Sequence, residues 1–230
     1  MNSSTIYKAL QSKFTSIVVL LIAIIAKMIQ QLYFFSTTLD RTAQLIEAKN
    51  LLSGHGLTIN KLAENGIAEV FTPVAAWPPG YPVIVSGISA LTHLHILTSA
   101  IVFDVLSIFL FLFFSRKILI LAGSKPIVVN LYVLIAGFFI YDFSELPATD
   151  LNALGFYLWA VFLALNILKG GWAGPWVILL FSIINFLPAS LKFIYLPVVF
   201  ISPAFLCIYG IKASSNPIKK AGIASLIITT

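Results

Sequence analysis

The chain has 230 residues, 60% of them hydrophobic and 10% charged, with a formal net charge of +6 and a mean hydropathy of +1.01. One soluble core of this size cannot hide so much apolar surface, so the composition excludes a water-soluble globular domain and specifies an integral membrane protein. The positive charge does not signal nucleic acid, because the basic residues are scattered among short loops and form no stripe interleaved with aromatics.

The apolar runs have the length needed to cross about 30 Å of hydrocarbon, which takes roughly 20 helical residues, and they lack the alternation of a barrel strand. The predicted fold class is all-α: a polytopic transmembrane helical bundle forming a single domain over residues 1–230. The first span is predicted from Phe14 to Phe35. Its apolar stretch is too long for a signal peptide, and no small-x-small cleavage site precedes Asp40, so it reads as a retained anchor.

Residues 36–82 then form a polar first outer loop. From Asp40 to Leu52 the pattern predicts an amphipathic interfacial helix in which Asp40, Gln44 and Glu47 share a face turned to water, while Leu45, Ile46, Leu51 and Leu52 sink into the interface. Ser53-Gly54 closes it, glycine being the usual residue just past a helix end. Trp77-Pro78-Pro79-Gly80-Tyr81-Pro82 marks a rigid re-entry point, with aromatics suited to the headgroup region and prolines that stiffen the turn.

The apolar stretch from Pro82 to Leu91 is too short for a full crossing and is expected to dip into the outer interface. Further spans are predicted at Ile96 to Phe114, Pro126 to Tyr141, Ala148 to Leu168, Gly174 to Leu187 and Phe193 to Ile211, giving six crossings. A last apolar run starts at Ala221 and covers about half a crossing before Thr230, which reads as the truncated portion of a longer protein.

Charge sets the orientation. Lys8 and Lys13 precede the first span, Arg116, Lys117 and Lys125 share one short loop, Lys169 occupies another, and Lys212, Lys219 and Lys220 a third. The positive-inside rule places these loops and the N-terminus in the cytoplasm of a multi-pass plasma or inner membrane protein. The intervening outer segments then hold all the acids except Asp104: Asp40, Glu47, Glu64, Glu69, Asp142, Glu145 and Asp150. Lys27 and Asp104 lie deep in spans, where a charge costs about 2.5 to 3.5 kcal/mol on insertion scales, so each should face the bundle or a watery cavity.

The ordered set of first span, Asp40, a helix ending in Asn50-Leu51-Leu52-Ser53-Gly54-His55-Gly56, Trp77-Pro78-Pro79-Gly80-Tyr81-Pro82, the basic Arg116-Lys117 turn, the acidic Asp142 to Asp150 loop and Leu187-Pro188-Ala189-Ser190-Leu191-Lys192 resembles the membrane glycosyltransferases of GT-C fold. That group includes the protein O-mannosyltransferases and the lipid A aminoarabinose transferases. The resemblance is to their N-terminal portion. It implies an inverting-type transferase that moves a sugar from a polyprenyl phosphate carrier to a lipid, glycan or protein acceptor on the outer face of the bilayer.

In that family the acid after the first span is the catalytic carboxylate, so the resemblance gives the role of general base to Asp40. The leaving phosphate needs a fixed cation, for which Lys192 is the first candidate and Arg41 the second. Glu145 and Asp142 form a secondary acidic site, and His55, Trp77 and Tyr81 a substrate loop. Many relatives carry Asp-Glu where Asp40 is followed here by Arg41, which argues against a paired-carboxylate or metal-assisted mechanism; no cofactor is specified, and a divalent metal, although compatible with the class, has no support in these residues. His93 and His95 are two apart and would not chelate together on a helix.

Each residue also has a structural reading. Asp40 suits a helix N-cap, Ser144, Glu145 and Pro147 suit a helix start, Lys192 suits a snorkelling lysine, and Gly-His-Gly suits a helix-ending turn. A transporter or lipid-binding membrane protein, or an inactive truncated relative, are the alternative functions.

Overall fold

The computed structural model describes residues 12–33, 39–62, 69–74, 77–138, 148–169, 174–212 and 216–229. The first helix, α1 (Lys13–Tyr33), begins where Ser12 Oγ accepts the backbone N–H of Thr15 at 3.0 Å, an N-cap that satisfies one of the donors a helix start leaves open. A shorter helix, α2 (Leu39–Leu52), follows. It stops at Gly54, whose φ of 82° allows His55 N–H to reach back to Asn50 C=O at 2.9 Å.

Beyond α2 the chain forms a small antiparallel hairpin, β1 (Thr58–Leu62) with β2 (Glu69–Pro73), in the register Thr58↔Pro73 to Leu62↔Glu69. The sequence reading had no strand here. The hairpin is tied to α2 by Asn50, whose Nδ2 donates to Thr58 C=O at 2.8 Å and to Asn60 Oδ1 at 2.6 Å. Its five-residue strands are too short to leave a periodic signal that stands out in a polar loop.

The remaining elements are α3 (Gly80–Thr92), α4 (Ile96–Leu121), α5 (Pro126–Phe138), α6 (Ala148–Leu168), α7 (Pro175–Leu191), a 3₁₀ turn (Phe193–Tyr195), α8 (Leu196–Lys212) and α9 (Asn216–Thr229). The described chain is thus predominantly α-helical. Among the described residues, four segments are long and apolar enough to cross a membrane: Lys13–Gln30, Ile96–Leu121, Asp150–Leu168 and Phe193–Ile211. Two of the six expected crossings, now α5 and α7, are shorter apolar helices in the described residues, as is α3.

Two boundaries move. Helix α4 runs on to Leu121, so Arg116 and Lys117 sit in its last turns rather than in a loop, and Gly123 (φ 80°) with the bond from Ser124 N–H to Leu119 C=O ends it. The expectation failed because helix-compatible Arg and Lys flank an apolar run without breaking it. Helix α7 likewise continues through Pro188 to Leu191.

Contacts fix the directions of the helices. Lys13 at the start of α1 lies beside Arg116 and Lys117 near the end of α4, and Lys169 Nζ, just past α6, donates to Leu121 C=O at 2.8 Å. At the opposite end, Gln30 Nε2 of α1 donates to Phe138 C=O of α5 at 3.0 Å, and Asp150 near the start of α6 pairs with Lys192 after α7. Helices α1, α4, α5, α6 and α7 therefore alternate in direction, with Lys13, Arg116, Lys117 and Lys169 together at one end of the bundle.

Small residues let the helices approach closely. A β-carbon on Gly137 would lie 2.6 Å from that of Ala23, one on Gly155 would lie 2.9 Å from Ser107 C=O, and one on Gly222 would lie 2.4 Å from Cys207 N. Close backbone contact of this kind supplies the packing energy that hydrophobicity cannot supply between helices in lipid. The core is aromatic-rich around α4 and α6, where Phe114 stacks on Trp159 at 5.3 Å.

Candidate functional site

At the end of the bundle opposite Lys13, Arg116, Lys117 and Lys169, five elements meet in a polar junction. Its centre is Asp104, in α4 eight residues past Ile96 and so about 12 Å below the start of that helix. Asp104 is buried, and a carboxylate in that setting demands partners. Arg41 Nη2 of α2 supplies the charge at 2.5 Å, and Asn152 Nδ2 of α6 donates to its other oxygen at 3.2 Å. The side chains of Arg41 and Asp104 are only 4% and 3% exposed.

Helix α2 owes its orientation to this pair. Arg41, Gln44, Glu47 and Asn50 are all buried, whereas Leu39 and Leu52 are exposed. This corrects one part of the expected arrangement: Gln44 and Glu47, expected to face water, are covered by protein, while Asp40 of the same series is half-buried. Periodicity identified residues that share a face, but it does not say what covers that face, and in a membrane protein charged and amide side chains turn towards the bundle. Glu47 is 2% exposed, its Oε1 has no hydrogen-bond partner among the described residues, and burial pushes its carboxyl up from 4.5 to about 6.

Helix α3 brings Tyr81 into the junction. The side chain is fully buried and its ring lies 5.8 Å from that of Phe103. Burial first, and the nearby Asp104 carboxylate second, raise its hydroxyl far above the ordinary tyrosine range, with Arg41 opposing, so the group stays protonated and neutral. Gly80 before it has a separate task. A β-carbon there would sit 2.4 Å from Ser190 C=O of α7, so only glycine permits this contact between the start of α3 and the end of α7.

That contact joins two segments far apart in sequence, Trp77-Pro78-Pro79-Gly80-Tyr81-Pro82 and Leu187-Pro188-Ala189-Ser190-Leu191-Lys192. Lys192 itself, the residue at which α7 gives way to extended backbone, forms an ion pair with Asp150 of α6. The two side chains keep 29% and 26% exposure, so this pair is open to solvent while the Arg41–Asp104 pair is not.

Asp40 occupies the first turn of α2, half-buried, and makes no ion pair or hydrogen bond with a described residue. Its neighbour Arg41 points inward, and successive helix residues diverge by about 100°, so the Asp40 carboxylate is turned away from the buried pair. Trp77 is half-buried ahead of α3. His55 is exposed beyond α2 and stacks on Phe71 of the hairpin, ring centroids 3.9 Å apart and 8° from parallel. Asp142 and Glu145 lie outside the described residues.

The turn between α3 and α4 explains the two remaining histidines. His93 adopts φ 58° and caps α3 through its N–H to Ser89 C=O, and His95 Nδ1 accepts the N–H of Leu97 at the start of α4. Among the described residues, no group of three His, Cys, Asp or Glu side chains is placed to hold a metal ion. Beside this turn, α2, α3 and α4 enclose a largely apolar groove of about 810 Å³, lined by Thr42, Leu45, Ile46, Lys49 and Leu52 on one side and by Ser89, Ala90 and residues 93–97 on the other.

Sequence reasoning placed Asp40, Arg41, Tyr81 and Lys192 in one functional group, and the fold brings Arg41 and Tyr81 together at Asp104, with Lys192 joined to the start of α3 through Ser190. It missed Asn152 as a junction residue and Asp150 as the partner of Lys192. A carboxylate in the middle of an apolar span was the available signal for a buried counter-ion, but sequence does not say which cation answers it. No protein-family model, no curated protein and no solved structure matches this chain.

Proposed function

We propose that this is a membrane glycosyltransferase of GT-C type that uses a polyprenyl phosphate sugar donor at the polar junction. One observation carries the reading: the start of α3 and the end of α7 meet at Gly80 and Ser190, leaving beside them a solvent-open cation, Lys192, at the same end of the bundle as Asp40, which has no ion pair with a described residue. In the reaction the acceptor hydroxyl oxygen attacks the anomeric carbon and the bond from that carbon to the carrier phosphate breaks. The phosphate leaves with the bonding electrons, and the hydroxyl proton passes to the Asp40 carboxylate.

The phosphate role falls to Lys192 rather than Arg41, because Arg41 is buried against Asp104 and holds α2 in place. Asp150 keeps Lys192 fixed in the absence of donor and is displaced or shared when the phosphate arrives. The apolar groove between α2, α3 and α4 has the shape and lining for a prenyl chain, with Lys49 and the histidine turn at its rim. In this reading the junction faces the periplasmic or luminal side and the basic end faces the cytoplasm.

Native mass spectrometry of the protein titrated with undecaprenyl phosphate tests the donor site. Removing one charge-assisted contact of about 1.5 to 3 kcal/mol should weaken binding by about 10- to 100-fold in Lys192→Ala. Asp150→Asn should tighten it, since the competing carboxylate is gone. Equal binding by wild type and Lys192→Ala would remove Lys192 from the donor site, and solute uptake by vesicles without glycosyl transfer would favour a transporter instead.

A further inference from the structure

A second groove, of about 530 Å³, lies at the opposite end of the molecule, between α1, α4 and the start of α5. Three cations rim it: Lys13, Arg116 and Lys117. Its lining contains no carboxylate, and none of the three cations forms an ion pair with a described residue. Lys117 Nζ lies 5.3 Å from the centroid of the Phe113 ring, which holds the ammonium over the groove wall. Arg116 Nε is buried and has no hydrogen-bond partner among the described residues, a donor that calls for an acceptor.

The floor is apolar, through Leu20, Phe113 and Val129, and Ile17 and Ile120 continue that surface outward, where both are exposed. A ligand for this groove needs an anionic head for the three cations and an acyl chain that follows the helices. A free phosphate has no use for the floor, and a zwitterionic lipid offsets its phosphate with its own cation.

We infer that the groove binds the head of an anionic glycerophospholipid, with its phosphate between Arg116 and Lys117 and one acyl chain running down the α1–α4 seam. The hydroxyls of Ser16 and Ser124, both in the lining, are placed to donate to the ester and phosphate oxygens. This site does not depend on the transferase reading, since it shares no residue with the polar junction.

The test is native mass spectrometry of the full chain titrated with phosphatidylglycerol and, separately, with phosphatidylcholine of the same acyl chains. Near a membrane surface each cation contributes on the order of 1 kcal/mol, so Arg116→Gln/Lys117→Gln should bind phosphatidylglycerol at least about tenfold more weakly. A control pair at exposed lysines outside the groove, Lys125→Gln/Lys220→Gln, should leave binding unchanged. Inorganic phosphate should not compete. Equal affinity for the two lipids, or an equal loss in the control pair, would overturn the proposal in favour of general basic-surface attraction. Binding that appears only after residues 1–11 are removed would assign the groove to the chain's own N-terminal segment and overturn it as well.

Discussion

The ion pair between Arg41 and Asp104 is the residue on which the position of α2 depends, because both charges are withdrawn from water and neither can be left alone. Breaking such a pair from one side typically costs about 3 to 5 kcal/mol, whereas neutralising both sides costs far less. Arg41→Met should therefore lower the thermal stability of the detergent-solubilised protein sharply, and Arg41→Met/Asp104→Asn should recover much of the loss. If the double substitution is as unstable as the single one, the pair is not what anchors α2. Glu47 provides a pH test on the same helix. Its carboxyl titrates near pH 6 when folded and near 4.5 when unfolded, so the folded state holds its proton more tightly. Below about pH 4.5 both states are protonated and Glu47 carries no penalty. As pH rises through about 6 the folded state loses that advantage and a destabilisation of about 1 to 2 kcal/mol develops. Glu47→Gln should thus raise the melting temperature at pH 7.5 and match wild type at pH 4. A gain that is the same at both pH values would contradict the buried-carboxyl assignment.

At the level of elements, the contact between α3 and α7 is set by one missing methyl group. Gly80→Ala places a β-carbon 2.4 Å from a carbonyl oxygen of the backbone, which no rotamer change relieves. Overpacking of this kind costs about 1 to 3 kcal/mol, so the variant should melt lower, and any binding that depends on Lys192 should weaken with it. Gly87→Ala in the same helix meets nothing within 4 Å and is the matched control. Much of this layer was readable in advance. Gly54 ended α2 as its position required, the 148–168 span was bounded correctly at both ends, and Lys27 and Asp104 face inward as the cost of an intramembrane charge demands. The faces were less legible than the helices. Asp40, Gln44 and Glu47 form a helical series in any environment, and only the positions of Asp104 and Tyr81 show that most of that series is covered by protein.

For the whole molecule, the gathering of one set of cations at one end is the feature that sequence and structure express in common. Alternating spans place Lys13, Arg116, Lys117 and Lys169 together because each begins or ends a helix on that side, and they place Asp40, Asp150 and the junction on the other. The partners within the junction were not legible, since Arg41 and Asp104 are 63 residues apart and no local pattern links them. The reading as a transferase makes one direct claim about chemistry, that the Asp40 carboxylate accepts the acceptor's proton. The measurement that tests it most directly is glycosyl transfer by the protein purified from its own membranes, reconstituted in liposomes with radiolabelled undecaprenyl phosphate sugars and total cell-envelope lipid as acceptor. Wild type should transfer label from at least one hexose or pentose donor, and Asp40→Asn should be slower by about 10²- to 10⁴-fold while still inserting and binding undecaprenyl phosphate. Turnover by Asp40→Asn at the wild-type rate would contradict the account.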